Sequence, residues 1–174
     1  MTPSGPRAEQ RPDCALCRGD GGVLVARTPQ LRVVLVDDSD YPGYVRVIWN
    51  AHVTEMSDLA EPQRARLLAA VNAAETALRE VLAPDKVNLA SLGNQVPHLH
   101  WHVIARFLDD SHFPQPIWAA RQRDPDAAQL QRCRQRLPAL TARIVELAHH
   151  LLGANWMADF VARANAGGIE RVLV

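Results

Sequence analysis

Apolar positions along this chain recur with two periods, one typical of strands and one typical of helices. Short alternating or β-branched runs predict five strands, at residues 23–26, 31–36, 44–49, 87–92 and 96–107. Spacings of three and four predict a helix that opens at Glu61-Pro62 and ends at Leu82, and a second helix over residues 130–152. Strands that precede and follow the first helix in the sequence predict an α+β fold.

The same pattern divides the chain into three parts. Residues 1–12 are polar and rich in proline, which predicts a disordered N-terminal tail. Residues 13–122 hold all five strands and the first helix, and form the predicted core domain. Residues 123–174 form a predicted C-terminal helical extension, in which a short helix at 156–164 and an edge strand at 169–174 follow the second long helix.

Composition narrows the classes of partner. Lys and Arg total 19, as do Asp and Glu, so we expect neither a nucleic-acid polymer nor an anionic membrane surface as a partner. A small anionic substrate remains compatible with this balance, because a binding site needs only local charge. The chain has no apolar run of the roughly 20 residues that span a membrane, and its first residues lack the apolar segment of a signal peptide. We therefore expect a cytoplasmic protein.

Three histidines alternate with apolar residues in the last predicted strand, as His98, His100 and His102. Successive side chains of a strand point to opposite faces, so the three imidazoles are expected on one face of the sheet. Three adjacent imidazoles are poor filling for a core, whereas they suit metal binding, proton transfer or nucleophilic attack. This row is the strongest indication of chemistry in the chain.

A second candidate site begins with the pair Cys14 and Cys17. The chain contains three cysteines, and an odd number with a C-x-x-C pair favours a metal or redox role over a disulfide framework. A thioredoxin-like redox site would need a strand before the pair and a helix opening at it, yet a glycine-rich segment follows. Two cysteines with two distant histidines make a suitable tetrahedral zinc set.

The run His98-Leu99-His100-Trp101-His102-Val103-Ile104 resembles the His-φ-His-φ-His-φ-φ signature of the histidine triad superfamily, in which φ is apolar. The similarity extends over residues 14–118 and includes Pro42-Gly43, His52 and Gly93-Asn94-Gln95. This resemblance implies a mostly antiparallel sheet with one long helix. It also implies a homodimer whose substrate is a nucleotide.

The resemblance further implies a mechanism. His100 would attack the α-phosphorus of a nucleotide and form a nucleotidyl-histidine intermediate that water resolves, and His102 would line the phosphate site. The expected substrate is a dinucleoside polyphosphate, such as diadenosine tetraphosphate, or a nucleoside phosphoramidate. Two alternatives remain open: a nucleotidyl transferase, in which a second phosphate resolves the intermediate, and a non-catalytic nucleotide-binding or scaffold module.

Other positions match residues that bind the nucleotide in this superfamily. Asn94 and Gln95 would contact the α-phosphate or the bridging atom, and Asn88 on the preceding strand would do likewise. Either Asp37 or Asp38 falls near the position that binds the ribose hydroxyls, and a carboxylate can accept hydrogen bonds from both.

Zinc is the cofactor that the resemblance implies. In branches related to galactose-1-phosphate uridylyltransferase, the ligands are the two cysteines, the histidine after the third strand and the first triad histidine. The corresponding residues here are Cys14, Cys17, His52 and His98. Four protein ligands close the coordination shell, so the zinc would be structural.

Two positions depart from the family pattern. Tyr44 stands where many members carry another histidine, so a histidine-assisted proton relay is not expected there. The segment Trp49-Asn50-Ala51-His52 lacks the basic residue that is common before the corresponding histidine. Because of these two differences, the substrate preference of other family members cannot be transferred to this chain.

Overall fold

The computed structural model describes residues 10–152. Most of the predicted N-terminal tail, the predicted short helix at 156–164 and the predicted edge strand at 169–174 lie outside the described residues. Within residues 10–152, no helix is both long enough and apolar enough to cross a membrane.

The described part of the chain folds as the expected α+β arrangement of five strands and three helices. In chain order these are α1 (Ala15–Arg18), β1 (Val23–Arg27), β2 (Leu31–Leu35), β3 (Val45–Trp49), α2 (Glu61–Leu82), β4 (Lys86–Ala90), β5 (His100–Arg106) and α3 (Ala127–Leu152). A short 3₁₀ turn, Met56–Asp58, precedes α2.

The strands form one antiparallel sheet in the order β1-β2-β3-β5-β4. Alternate residues of β3 and β5, among them Val47 and Val103, pack in a single core with residues of α2 and α3. The intervening residues of these strands therefore lie on the opposite face of the sheet. This second face carries the histidines and most of the polar chemistry described below.

Helix α2 has clear physical start and stop signals. Its first turn contains Pro62, and the side chain of Gln63 accepts a hydrogen bond from the backbone N–H of Ala60 at 2.9 Å. The helix ends at Ala83, whose left-handed backbone (φ 51°) cannot continue the helix. Its buried face includes Leu67 and Leu78, both fully enclosed by the sheet and α3.

Helix α3 is part of the main core. Leu140, Ile144 and Ala148 are buried in the same cluster as the inner face of α2. Residues of α2 and α3 also crowd Gly43, which precedes β3 and has a φ of 88°. A Cβ at Gly43 would lie 2.7 Å from Leu82 and 3.4 Å from Leu140, so a side chain there would be both strained and crowded.

Strand β5 begins at His100, although the alternation predicted a strand from residue 96. Pro97 has no N–H for a strand ladder, and the N–H of His98 bonds back to the carbonyl of Val96 at 2.8 Å. His98 therefore lies in the turn before β5 and is separated from the other two histidines. This break allows the first histidine to face a different group of residues.

Candidate functional site

Two histidines define the centre of the candidate active site. His100 and His102 lie on β5, on the sheet face opposite α2, because the alternate residues Trp101 and Val103 pack towards the core. Both imidazoles are buried, with 6% of each residue exposed. Their ring centroids are 4.7 Å apart and the rings meet edge to face. The predicted catalytic pair is thus one compact unit.

His100 has one nitrogen engaged by the protein and one available for chemistry. Its Nδ1 lies 2.5 Å from the carbonyl oxygen of His98. A carbonyl only accepts, so Nδ1 carries the proton and donates it, and Nε2 keeps its lone pair. Burial lowers the pKa of His100, and the positive charge of Arg46 lowers it further, against the opposing bond to His98. His100 is therefore neutral at pH 7, the state a nucleophile requires.

His102 is held between two aromatic residues. Its Nδ1 is hydrogen-bonded to the hydroxyl of Tyr44, and its ring centroid is 5.1 Å from that of Trp118. Burial, together with the nearby His100 and Arg46, lowers the pKa of His102 to about 3. The indole of Trp118 is 51% exposed, so it forms part of the rim of the site.

Arg46 brings a positive charge to this face. It lies directly opposite His102 in the β3–β5 pairing, and its Nη1 donates to the carbonyl of Gly21 at 3.2 Å. Arg46 was not among the predicted site residues. The signal was present, because alternation along the predicted third strand places it on the same face as Tyr44.

Asn88 lies on β4 and is oriented by a buried ion pair. Arg106 donates from Nη1 to Oδ1 of Asn88 at 2.6 Å, and it also donates to the carboxylate of Asp110. Because the oxygen of Asn88 is engaged, its amide N–H groups are the ones left to meet a ligand. Neither Arg106 nor Asp110 was predicted, since their spacing in sequence gives no sign that they support Asn88.

The remaining predicted nucleotide-binding residues lie in loops. Asn94 and Gln95 are exposed in the turn between β4 and β5. Asp37 is exposed after β2, and within residues 10–152 its side chain has no hydrogen-bond partner. Asp38, in contrast, accepts from the backbone N–H groups of Asp40 and Tyr41 at 2.9 and 3.1 Å. Of the two aspartates, Asp37 is the one with a carboxylate available to a ligand.

The structure brings all four predicted metal ligands together. One ligand atom from each of Cys14, Cys17, His52 and His98 lies within 4.8 Å of the others. Nδ1 of His98 is 3.4 and 3.5 Å from the two sulfur atoms, and Nδ1 of His52 is 3.4 Å from that of Cys17. The cysteines lie at the N-cap of α1 and within it, His52 follows β3, and His98 lies in the turn before β5. Together they offer a ligand set for a metal ion.

Buried hydrogen bonds fix this cluster. Nε2 of His98 donates to the carbonyl of Trp49 at 2.6 Å, which leaves Nδ1 unprotonated and directed at the cysteines. Arg32, buried on β2, donates to the carbonyls of Leu16 (2.6 Å) and Asp20 (2.9 Å) and so attaches the cysteine segment to the sheet. Arg32, like Arg46, was not among the predicted site residues.

Comparisons with known proteins agree with this architecture. A histidine triad protein from Bradyrhizobium japonicum is 30% identical, with a TM-score of 0.54 over 68% of this chain and 92% of that one. A histidine triad protein from Marinobacter aquaeolei is 26% identical, with a TM-score of 0.59 over 76% of this chain and 92% of that one. The predicted fold is therefore confirmed.

Sequence comparison adds a relative and two family matches. An AP-4-A phosphorylase of Mycobacterium tuberculosis is 30% identical over 98 residues, which are 53% of this chain. The chain spans 50% of the length of that relative. Residues 143–174 match a domain of unknown function (DUF3400). Residues 21–109, just over half of the chain, match the model of the HIT domain, and the protein therefore belongs to the HIT, or histidine triad, family.

Proposed function

We propose that this protein hydrolyses nucleotide α-phosphate linkages through a nucleotidyl-histidine intermediate on His100. The observation that carries the proposal is the geometry of His100, whose Nδ1–H is held by the carbonyl of His98 while Nε2 keeps a lone pair beside His102. A neutral imidazole in this state is a competent nucleophile. The role of a non-catalytic scaffold would not require this arrangement.

The reaction would proceed in two displacements. Nε2 of His100 donates its lone pair to the α-phosphorus, and the bond from phosphorus to the leaving oxygen breaks with its electron pair. The ring gains positive charge, which the hydrogen bond from Nδ1 to the carbonyl of His98 stabilises. Water then attacks phosphorus, the P–N bond returns its electrons to Nε2, and the water proton is released. The products are a nucleoside monophosphate and the leaving group.

Four further residues would bind the substrate. Asn88 presents amide N–H groups towards the site because Arg106 engages its oxygen. Asn94 and Gln95, in the turn before β5, would contact the α-phosphate or the bridging atom. Asp37 would accept hydrogen bonds from the ribose hydroxyls, for which it is better suited than Asp38, whose carboxylate is engaged in a turn.

We infer a dinucleoside polyphosphate, such as diadenosine tetraphosphate, or a nucleoside phosphoramidate as substrate. One comparison favours a second candidate reaction, because the relative from Mycobacterium tuberculosis is an AP-4-A phosphorylase. In phosphorolysis, inorganic phosphate takes the place of water and resolves the intermediate on His100. The protein would then be a nucleotidyl transferase with the same nucleophile.

Product analysis separates the two reactions. Diadenosine tetraphosphate is incubated with the protein in phosphate-free buffer and again with added inorganic phosphate. Hydrolysis is expected to give AMP and ATP under both conditions. Phosphorolysis would give ADP and ATP and would depend on added phosphate, so that outcome would replace the first proposal by the second. Comparing the turnover of a nucleoside phosphoramidate with that of diadenosine tetraphosphate identifies the preferred leaving group.

Trapping the intermediate tests the nucleophile. Acid-labile, base-stable labelling by an α-labelled nucleotide is expected in the wild-type protein and not in His100→Ala. His112→Ala is the matched control, because His112 bonds to Tyr41 at 2.6 Å and lies outside the proposed machinery. Equal labelling of His100→Ala and wild type would disprove the assignment of His100.

We further propose that the Cys/His cluster binds one structural zinc ion. Tetrahedral zinc with typical bond lengths places nitrogen and sulfur ligands about 3.5 Å apart. The N···S distances of 3.4 to 3.5 Å in the cluster fit this requirement. Zinc would join α1 to the end of β3 and the turn before β5, with His98 serving as a ligand and not as a catalyst.

Metal analysis tests the zinc proposal. Purified protein is expected to contain one zinc per chain, and Cys14→Ser should lose it together with thermal stability. Cys133→Ser is the control, because Cys133 is buried in α3 outside the cluster. A well-folded, metal-free wild type whose stability is unchanged by Cys14→Ser would refute the zinc site.

Two further expectations concern assembly and location. We propose a homodimer that uses the edge strand β4 and helix α2. Leu89 on β4 and Leu68 on α2 are large apolar side chains exposed to solvent. Sedimentation velocity at micromolar concentration tests this, and a monomer would contradict it. The cytoplasmic location stays a prediction.

A further inference from the structure

Tyr44 stands at the position where many histidine triad proteins carry another histidine. No histidine-assisted relay is expected there, and the hydroxyl of Tyr44 is instead hydrogen-bonded to Nδ1 of His102. Both side chains are buried, and the centroids of their rings are 5.7 Å apart. The hydroxyl of Tyr44 therefore engages Nδ1 of His102 and leaves Nε2 as the other ring nitrogen.

The backbone around Tyr44 is fixed, so this contact is part of the fold. Its N–H donates to the carbonyl of Tyr41 at 3.0 Å, and its own carbonyl accepts from Val36 at 2.8 Å. The ring packs in a small apolar cluster with Tyr41 and Ile104. A side chain held at both backbone groups and around its ring can determine the state of the group that it contacts.

The direction of the hydrogen bond follows from the surroundings of the hydroxyl. Arg46 lies over the Tyr44 ring, with its Cζ 5.8 Å from the centroid, and a guanidinium can only donate. Burial raises the pKa of Tyr44, against the opposing hydrogen bond from Arg46, so the hydroxyl keeps its proton at neutral pH. Within residues 10–152, Nδ1 of His102 is the acceptor available to that proton.

We propose that Tyr44 is a positioning residue that fixes His102 as the Nε2–H tautomer. This inference rests on the proposed function of the histidine pair. His100 has the opposite tautomer, because its Nδ1 donates to the carbonyl of His98. The pair thus presents one Nε2 lone pair and one Nε2–H donor on adjacent rings: the first attacks phosphorus, and the second donates to a phosphate oxygen.

Loss of the Tyr44 hydroxyl would remove the hydrogen bond that keeps His102 in a different tautomer from His100. Nδ1 of His102 would become a buried acceptor without a partner, so the proton would distribute between the two nitrogens. When the proton is on Nδ1, Nε2 of His102 offers no donor to the phosphate. The reaction would lose stabilisation of the transition state, whereas the other contacts to the nucleotide would remain.

Nitrogen-15 NMR of histidine-labelled protein, without substrate, tests the tautomer directly. Wild-type His102 is expected to show an unprotonated Nδ1 and a protonated Nε2, and Tyr44→Phe should shift the signals towards a mixture. Tyr41→Phe is the matched control, since Tyr41 is also a buried tyrosine but its hydroxyl bonds to Asp110 and His112. It should leave the His102 signals unchanged.

Kinetics on diadenosine tetraphosphate complete the test. Tyr44→Phe is expected to lower kcat about 10- to 100-fold while KM changes less than about threefold, and Tyr41→Phe should change kcat less than about twofold. A wild-type His102 protonated on Nδ1 would overturn the inference, even if no Tyr44 variant folds. Wild-type protein without turnover but with the expected tautomer would refute the proposed function and leave the assignment of Tyr44 intact.

Discussion

Arg106 donates from Nε and Nη2 to the two carboxylate oxygens of Asp110, at 2.6 and 3.0 Å, with both side chains buried. Burial alone would raise the pKa of Asp110, but the bonds from Arg106 and the backbone N–H groups of His112 and Phe113 hold that pKa below its usual value. The pair lies on the sheet face that carries His100 and His102, and Nη1 of Arg106 also donates to Asn88. It therefore links the stability of the fold to the proposed binding site.

Asp110→Asn tests this link. The substitution leaves the charge of Arg106 buried without a counter-charge, so the free energy of unfolding in urea should fall by about 3 kcal/mol. KM should rise as well, because Asn88 loses its fixed orientation. Glu80→Gln is the control, since it removes the acid from an exposed ion pair with Arg143 and should change stability little. Equal losses in the two variants would show that the Arg106–Asp110 pair has no special role.

Local sequence patterns predicted much of this architecture. Alternation located the strands, and the helical period with Pro62 located the start of α2, because these features depend on residues close together in the chain. The histidine triad signature also pointed to His100 and His102, which the structure places side by side.

Several contacts between residues distant in the chain were not predicted, although the resemblance to the family had indicated the set of four metal ligands. The bond from Tyr44 to His102 spans 58 positions, and those from Arg32 to Leu16 and from Arg106 to Asn88 span 16 and 18. Each joins neighbouring strands, or a strand to a loop or to helix α1, so it exists only once the sheet is assembled. The start of β5 was misjudged because Pro97 interrupts an otherwise regular alternation.

The low pKa of His102 predicts an acid-sensitive contribution to stability. The folded state binds a proton at His102 only near pH 3, whereas the unfolded chain binds it near the ordinary value of 6.5. His102 therefore contributes fully to the free energy of unfolding above pH 6.5. This contribution is lost as the pH falls towards 3, because the unfolded state then binds more protons than the folded state. Between pH 6.5 and pH 5 the loss should be about 2 kcal/mol.

Chemical denaturation of the wild type and His102→Gln at several pH values measures this contribution. The glutamine can still accept from Tyr44, while it cannot titrate. The difference in free energy of unfolding between the two proteins should shrink on acidification, since the other acid-sensitive groups are common to both. Parallel stability curves from pH 7 to pH 4 would contradict the assignment to His102.

The C-terminal boundary of the core domain can be tested on α3. The sequence predicts a C-terminal helical extension over residues 123–174, and Leu140 and Ile144 of its helix α3 are buried in the same core as α2. Leu140→Ala should therefore lower the free energy of unfolding by about 3 kcal/mol. Leu108→Ala is the control, because Leu108 is 62% exposed.

Truncation after Asp124 tests the whole helix. The shortened chain should unfold at a lower temperature, because the apolar face of α2 that packs against α3 would meet water. Sedimentation of the same sample shows whether α3 also contributes to the proposed dimer. A truncated protein as stable and as dimeric as the full chain would show that α3 does neither.

Trp118 provides a spectroscopic report on the proposed site. Its indole and the His102 ring meet edge to face, at a centroid distance of 5.1 Å, yet half of the residue is exposed. A nucleotide with its phosphate at the histidine pair would displace water from this indole. A non-hydrolysable analogue of diadenosine tetraphosphate should therefore change the intrinsic fluorescence in a saturable manner, and Trp118→Phe should abolish most of that change.

Trp101→Phe is the matched control for this experiment. Trp101 neighbours His102 in sequence, but its side chain packs against the core on the other face of the sheet. The variant should keep the fluorescence change, with an affinity that agrees with calorimetric titration of the same analogue. If the signal survives in Trp118→Phe and disappears in Trp101→Phe, the nucleotide does not bind on the face that carries His100 and His102.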